Sequence, residues 1–179
     1  MTEKTLILKC QKRNRKAQRL LFDSYLNEML RLCHRYIPDY DDAQDVLSKG
    51  FTKIFDKIKS FEYRGDGSLS AWMKRIMVNE SLKFIRDNKK FQNNDSIDEA
   101  HTQIGFTHDF GLEAEDIYKL IQTMPNGYRE VFNLFAIEGY SHSEIAKMMG
   151  ISEGTSKSQL SKARKFLQEK LNSIMMYGQ

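Results

Sequence analysis

Apolar residues recur at intervals of three and four along most of the chain. Leu21, Tyr25, Met29, Leu32 and Tyr36 form one such series, which stops before Pro38. This spacing places apolar side chains on one face of a helix, and a proline ends the helix. No segment of the sequence shows the clean alternation over five or six residues that is typical of a strand. The spacing therefore predicts an all-α fold.

An acidic stretch interrupts this pattern. Residues 91–116 contain seven Asp or Glu and no Lys or Arg, whereas residues 1–90 carry a net charge of +8 and residues 117–179 carry +3. The stretch is also rich in Asn, Asp, Ser, Thr and Gly, which favour turns and irregular chain. We therefore predict two small helical domains, residues 1–90 and 115–179, joined by a flexible acidic linker, residues 91–114.

Two interpretations of the acidic linker stay open. It is either a solvated connection or an acidic mimic of nucleic acid that covers a basic surface while the protein is idle. The charge pattern is compatible with both.

Composition excludes several classes of protein. The mean hydropathy is −0.59 and no apolar run approaches the length of a membrane span. The first residues lack the apolar stretch of a signal peptide. The two cysteines, Cys10 and Cys33, are too few and too far apart for a disulfide framework or a structural zinc site. We expect a cytoplasmic protein with reduced thiols, no cofactor and no insertion into a membrane.

Two further helices are expected in the first domain. One begins near Asp41 or Asp42, whose carboxylates suit a helix N-terminus, and its apolar face comprises Leu47, Phe51, Ile54, Phe55 and Ile58. A loop over residues 63–68 separates it from the next helix, which Ser68 or Ser70 caps.

Aromatic and basic residues are interleaved around this loop. Bases stack on aromatic rings while cations follow the backbone, so the mixture favours binding of single-stranded DNA. For Trp72, a place in the core is an equally good interpretation, and one ring can serve both roles. The candidate residues are Tyr63, Arg64, Trp72, Lys74, Arg75, Lys83 and Arg86.

The second domain carries the spacing of a helix-turn-helix. Helices are expected from Glu115 to Thr123 and over residues 128–138. Ser141 and Glu144 then match a capping box, Gly150 supplies the positive φ of a tight turn, and Ser152 caps the next helix.

The exposed face of that last helix combines short hydroxyls and an amide with cations. Such a face suits a helix lying in the major groove. A solvated basic face is the common alternative, and it is disfavoured because the turn and the basic face occur together. The candidate residues for duplex DNA are Ser152, Thr155, Ser156, Lys157, Ser158, Gln159, Lys162 and Arg164.

The whole chain resembles a bacterial RNA polymerase sigma factor of the extracytoplasmic-function (ECF) type of the sigma-70 family. The resemblance is strongest over residues 128–132, 138–141, 144–146 and 163–164. In the first domain it rests on residues 42–45, Phe51, residues 64–65 and 71–72, residues 75–76 and Asn79.

The resemblance implies partners and a division of labour. It implies promoter-specific initiation by a non-enzymatic subunit that binds core RNA polymerase at the beta-prime clamp and the beta flap. It implies that the first domain, with Asn79 added to its candidates, reads the downstream (−10-type) element and that the helix-turn-helix reads the upstream (−35-type) element of promoter DNA. An anti-sigma factor is a further implied partner. The polymerase contacts that it implies are Asp42, Asp45, Val46, Lys49, Phe51, Ile54 and Phe55.

The sequence departs from the family pattern at two places. Ser48 stands in the clamp helix where the family often has Gln, and residues 156–159 read Ser-Lys-Ser-Gln where Val-Lys-Ser-Arg is usual. Gln159 replaces a cation with a neutral amide that pairs well with adenine. The promoter sequence therefore does not follow from the family.

Two alternative functions would use these domains differently. A stand-alone helix-turn-helix transcriptional regulator would use the first domain to dimerise or to sense a ligand. A metal-dependent enzyme would use His34, His101, His108 and His142, but these are spaced too far apart for a ligand set.

Overall fold

The computed structural model describes residues 1–92 and 114–177. The predicted linker, residues 91–114, and with it His101 and His108, lies almost wholly outside the described residues. The chain divides into two compact units, Met1–Phe91 and Gln92–Gln179. The described residues contain helices and no strand, as the spacing predicted.

The first unit contains four helices. They are α1 (Glu3–Gln11), α2 (Arg15–Tyr36), α3 (Tyr40–Lys57) and α4 (Ser68–Gln92), with a short 3-10 turn at Ile58–Ser60. Asp39 caps α3 by accepting a hydrogen bond from the Asp42 backbone N–H at 2.9 Å. The cap therefore lies slightly before the predicted start, and Asp41 and Asp42 occupy the first turn.

Helix α1 was not predicted from the sequence. Thr2 caps it, and it buries Leu6, Ile7 and Cys10. These three positions follow helical spacing, but a series this short is weak against the polar residues around it. Packing against α2 and the 3-10 turn supplies what the local pattern lacks.

Close approach of α3 and α4 depends on a glycine. A Cβ added at Gly50 would lie 2.2 Å from Sδ of Met77, which is fully buried on α4. The Met77 sulfur also lies 4.0 Å from Sγ of Cys33 on α2. Burial raises the pKa of the Cys33 thiol to about 12, so this thiol stays protonated and unreactive. Cys10 is likewise buried and unpaired.

The second unit contains α5 (Ala114–Gln122), α6 (Asn126–Phe132), α7 (His142–Met149) and α8 (Glu153–Tyr177), and α6 continues into a π-helical segment, Asn133–Ile137. Arg129 is buried and donates to the carbonyls of Gln122 (3.1 Å) and Met124 (2.7 Å) and to the Asn126 side chain. Burial lowers the pKa of its guanidinium to about 10, which leaves it charged at neutral pH. Arg129 thus satisfies the carbonyls at the end of α5.

The helix-turn-helix forms as predicted. Ser141 and Glu144 make the reciprocal capping box at the start of α7. Gly150 ends α7 with a φ of 68°, a left-handed conformation that favours glycine. Ser152 caps α8 by accepting from the Thr155 backbone N–H at 3.0 Å. The π segment departs from the expected regular helix, and Phe132 and Phe135 are half-buried.

We expect Gly50→Ala to destabilise the first unit by about 1 kcal/mol. Alanine favours the helix by about 1 kcal/mol, but overpacking a buried site costs roughly 1–3 kcal/mol. Urea unfolding followed by fluorescence of Trp72 measures this, because Trp72 is the chain's single tryptophan and lies in the first unit. The matched variant is Gly50→Ala with Met77→Val. If the double variant loses as much free energy of unfolding as the two single variants together, the side chains at positions 50 and 77 do not contact each other.

Candidate nucleic-acid interface

The candidate residues of α4 lie along one exposed stripe. Trp72, Arg75, Asn79, Lys83 and Arg86 succeed one another at intervals of three or four, which aligns them on one side of the helix. Four of them are exposed and Trp72 is half-buried. The opposite side of the helix is buried through Leu69, Met73 and Met77, among others. The stripe therefore combines cations, an amide and an aromatic ring.

The position of Trp72 is compatible with both interpretations that the sequence left open. Its ring lies 4.9 Å from that of Phe61, so one side packs against the chain just before the loop. The remaining exposure leaves part of the indole available for stacking on a base.

Lys74 does not share the stripe. Its Nζ lies 2.7 Å from Oε1 of Glu28 on α2, and Ser70 Oγ donates to the same carboxylate oxygen at 3.4 Å. This ion pair ties α4 to α2, and the DNA contact of Lys74 stays a prediction.

The loop between the 3-10 turn and α4 is held by internal hydrogen bonds. Tyr63 donates to Oδ1 of Asp66 at 2.6 Å, and this bond raises the pKa of the Tyr63 phenol to about 12. Ser68 Oγ accepts from the Arg64 backbone N–H at 3.2 Å and donates to the Gly65 carbonyl at 2.6 Å. The loop thus presents Tyr63 as a neutral, oriented phenol.

Arg64 is exposed and forms an ion pair with Glu62. Its guanidinium lies 3.4 Å from Oε2 of Glu62, and both side chains are 80% exposed. Such a pair is weak in water, so a phosphate can compete for the arginine.

The predicted polymerase contacts on α3 are of two kinds, buried and exposed. Val46, Phe51 and Ile54 are buried in the core of the first unit. This corrects their prediction as partner contacts, because they hold α3 in place instead. Asp45 and Lys49 are exposed, Asp42 is half-exposed, and Phe55 lines a surface pocket with residues of α2.

The start of α3 carries a cluster of negative charge. Desolvation raises the pKa of Asp42, and the nearby carboxylates of Asp39, Asp45 and Asp41 raise it further. The outward face of α3, which Asp41, Asp45, Ser48, Lys49 and Thr52 share, is therefore polar and mainly acidic at its start.

Helix α8 presents most of the predicted upstream set to solvent. Ser152, Thr155, Lys157, Ser158, Lys162 and Arg164 are exposed. Lys157 and Arg164 are two helical turns apart and so lie on the same side. Leu160 and Ala163 of the same helix are buried and pack it into the unit.

Two members of the set are placed differently. Ser156 is completely buried, and its Oγ makes a 2.8 Å hydrogen bond with Nδ1 of His142 on α7. This corrects its prediction as a DNA contact, because the residue joins the two helices of the motif. Gln159 is half-buried with its Oε1 turned inwards, and a Cβ at Gly127 on α6 would lie 3.2 Å from that oxygen.

His142 and Phe135 are functional candidates that the sequence reasoning missed. The imidazole of His142 stacks on the Phe135 ring at 4.6 Å, and the guanidinium of Arg164 lies 5.9 Å from the same ring. The ring therefore supports Arg164 from beneath while His142 holds α7 against α8. The spacing of Ser156 from Leu160 and Ala163, which puts it on the buried side of α8, is the sequence signal that could have found this contact.

The chain is similar to two known protein families and to several characterised proteins. The family described as "Sigma-70 region 2" matches residues 21–91, and that described as "Sigma-70, region 4" matches residues 114–167. The "ECF RNA polymerase sigma-E factor" of Haemophilus influenzae is 26% identical over 98% of each chain. The protein of the same description from Escherichia coli is also 26% identical, over 98% of this chain and 97% of its own.

Solved structures show the same fold. A complex of the sigma factor RpoE with the anti-sigma factor NepR from Bartonella quintana matches with a TM-score of 0.56 and 25% identity, over 86% of this chain and 96% of that chain. The structure of CnrH in complex with the cytosolic domain of CnrY matches with a TM-score of 0.52 and 19% identity, over 94% and 96%.

Other kinds of site find no support in the described residues. Over residues 1–92 and 114–177, no three or more His, Cys, Asp or Glu side chains are grouped to hold a metal ion. The same ranges contain no helix both long and apolar enough to span a membrane.

We expect Ser156→Ala to destabilise the second unit by about 1–2 kcal/mol, because it removes the partner of a partly buried imidazole nitrogen. Thermal unfolding followed by far-UV circular dichroism measures the loss, while Trp72 fluorescence reports the first unit, which should not change. Ser161→Ala, an exposed serine on the same helix, is the matched control. Equal stabilities of the two variants would contradict a role for the His142 contact.

Proposed function

The chain belongs to the sigma-70 family, in its ECF group, and on this basis we propose how its surfaces direct promoter-specific transcription initiation. The exposed stripe of α4 and the loop before it read and help to open the downstream promoter element. The exposed face of α8 reads the upstream element as duplex DNA. The family is one of non-enzymatic initiation factors, and we infer that this chain likewise lacks an active site and acts in the cytoplasm.

The observation that carries the proposal is the order of the two matched regions, each of which presents its own basic surface. In the first unit that surface is suited to unstacked bases, since an aromatic ring stands among cations. In the second unit it is a helix with hydroxyls at its start and cations behind, which suits a major groove.

Helix α3 is the proposed contact with core RNA polymerase. Its outward face is held rigidly because its inward face is packed into the core through Val46, Phe51 and Ile54. The acidic residues at the start of that face favour a basic partner surface. We place the beta-prime clamp there and the beta flap on the second unit.

An anti-sigma factor is a further proposed partner. RpoE from Bartonella quintana was solved in complex with the anti-sigma factor NepR, and CnrH in complex with the cytosolic domain of CnrY. A protein that occupies the outward face of α3 would block polymerase binding directly.

The experiment that tests the function is binding of the chain to purified core RNA polymerase, followed by transcription from fragmented genomic DNA of the source organism. We expect tight binding and discrete new start sites. A folded, monomeric chain that binds DNA but not the polymerase would instead support a stand-alone regulator.

We expect Lys157→Ala and Arg164→Ala each to weaken binding of upstream-element duplex. Each loses about one phosphate contact, so the slope of log K against log salt should fall by about 0.9 per variant. Lys170→Ala is the matched control, because Lys170 is exposed on the same helix and lies against Phe166. A variant that binds and transcribes like the parent across the salt series would remove its residue from the interface.

We expect Asp45→Lys to weaken binding to core polymerase by about tenfold or more, since like charges at an interface cost a few kcal/mol. The fold should be preserved because the side chain is exposed. Glu169→Lys makes the same charge change on the second unit, where the carboxylate is exposed, and serves as control. Unchanged affinity of Asp45→Lys for the polymerase would refute the placement of the clamp on α3.

A further inference from the structure

The first helices carry a dense group of positive charges that none of the surfaces above uses. Seven Lys or Arg and no acidic residue lie between Glu3 and Asp23. All seven are exposed. Arg19 pairs with Asp23 at 3.6 Å, and the other six form no ion pair within residues 1–92 and 114–177. The seven are Lys4, Lys9, Lys12, Arg13, Arg15, Lys16 and Arg19.

The fold concentrates five of these charges at one turn, which we call the basic corner: Lys9, Lys12, Arg13, Arg15 and Lys16. Helix α1 ends at Gln11 and α2 begins at Arg15. The backbone N–H groups of Arg13 and Asn14 donate to the carbonyls of Cys10 (2.9 Å) and Lys9 (3.1 Å), which closes the turn tightly. Two helix ends therefore hold their cations close together.

The charges and backbone of the basic corner destabilise the turn between α1 and α2. The first turn of α2 contains Arg15 and Lys16 and no acidic residue, although the positive end of a helix dipole favours acids. Arg13 has a φ of 56°, a conformation that usually belongs to glycine or asparagine. A bound polyanion would offset this charge repulsion, since none of the five cations of the corner pairs with an acidic side chain within residues 1–92 and 114–177.

The basic corner is fixed to the loop that precedes α4. The side-chain amide of Gln11, at the end of α1, donates to the carbonyls of Ile58 (3.2 Å) and Phe61 (2.9 Å). Phe61 in turn lies against Trp72, the first residue of the α4 stripe. The corner therefore stands beside the surface that we assign to the downstream element.

We propose that the basic corner binds the phosphate backbone of promoter DNA next to the downstream element. This inference rests on the proposed function. Flexible cationic side chains bind phosphates without reading bases, so the corner supplies affinity and orientation rather than sequence preference. A lipid surface fits less well, because α1 buries Leu6 and Ile7 in the domain and leaves Leu8 as its exposed large apolar side chain, which is too little for an apolar face on a bilayer.

The test uses the full chain bound to core polymerase. One variant combines Lys12→Gln, Arg15→Gln and Lys16→Gln, and the matched control combines Lys12→Arg, Arg15→Lys and Lys16→Arg, which keep the charge. We expect the neutral variant to lower the slope of log K for promoter DNA against log salt by about 2–3, since each lost phosphate contact removes about 0.7–0.9. The charge-keeping control should match the parent, and the start sites should not change in either.

A stability measurement separates lost contacts from lost fold. Because the corner is repulsive, the neutral variant should melt at the same temperature as the parent or higher. Weaker DNA binding together with equal or greater stability supports the proposal.

Three outcomes overturn the proposal. A neutral variant with the parent's affinity and salt slope, in a polymerase complex that transcribes normally, refutes the basic corner and leaves the proposed function intact. If the parent complex itself neither binds nor transcribes promoters, the proposed function fails and the inference with it. If neutralisation abolishes binding to phosphatidylglycerol vesicles while DNA binding stays unchanged, the corner serves a lipid surface instead.

Discussion

The helices of this protein each bury one side in a core, and the helix faces that we assign to partners are the sides that remain exposed. Units of this size hold a single thin core, so a helix that packs inwards through one stripe exposes the opposite stripe to water. Helix α3 fixes itself by Val46, Phe51 and Ile54 and presents Asp45 and Lys49 outwards. A rigid inward face is what makes the outward face a defined surface rather than a set of independent side chains.

The same division explains how far the sequence could be interpreted. Periodicity located the main helices, and it already put Phe51 and Ile54 on the apolar face of α3. The family resemblance nevertheless assigned both to the polymerase surface, because a resemblance transfers a segment without distinguishing its sides. Where the two disagreed, the physical pattern was the better guide.

Two polar residues turned inwards against their individual preferences. Ser156 stands four positions before Leu160 on the buried side of α8, but its hydroxyl suits an exposed helix start as well as an interior hydrogen bond. Its position follows from His142, fourteen residues earlier, which offers a nitrogen 2.8 Å from the hydroxyl. Arg129 is similar, since its burial depends on carbonyls that the end of α5 leaves open. Tertiary partners decide such residues, and single-residue preferences do not encode them.

The two hydrogen bonds of Gln11 have a genetic consequence. They connect α1 to carbonyls about fifty positions later, at the base of the loop that we assign to the downstream element. The position of that loop therefore depends in part on a residue to which we assign no base contact. In a screen for altered promoter choice, substitutions at Gln11 would be recovered beside those in the loop itself. Among related proteins, the two segments would be expected to diverge together.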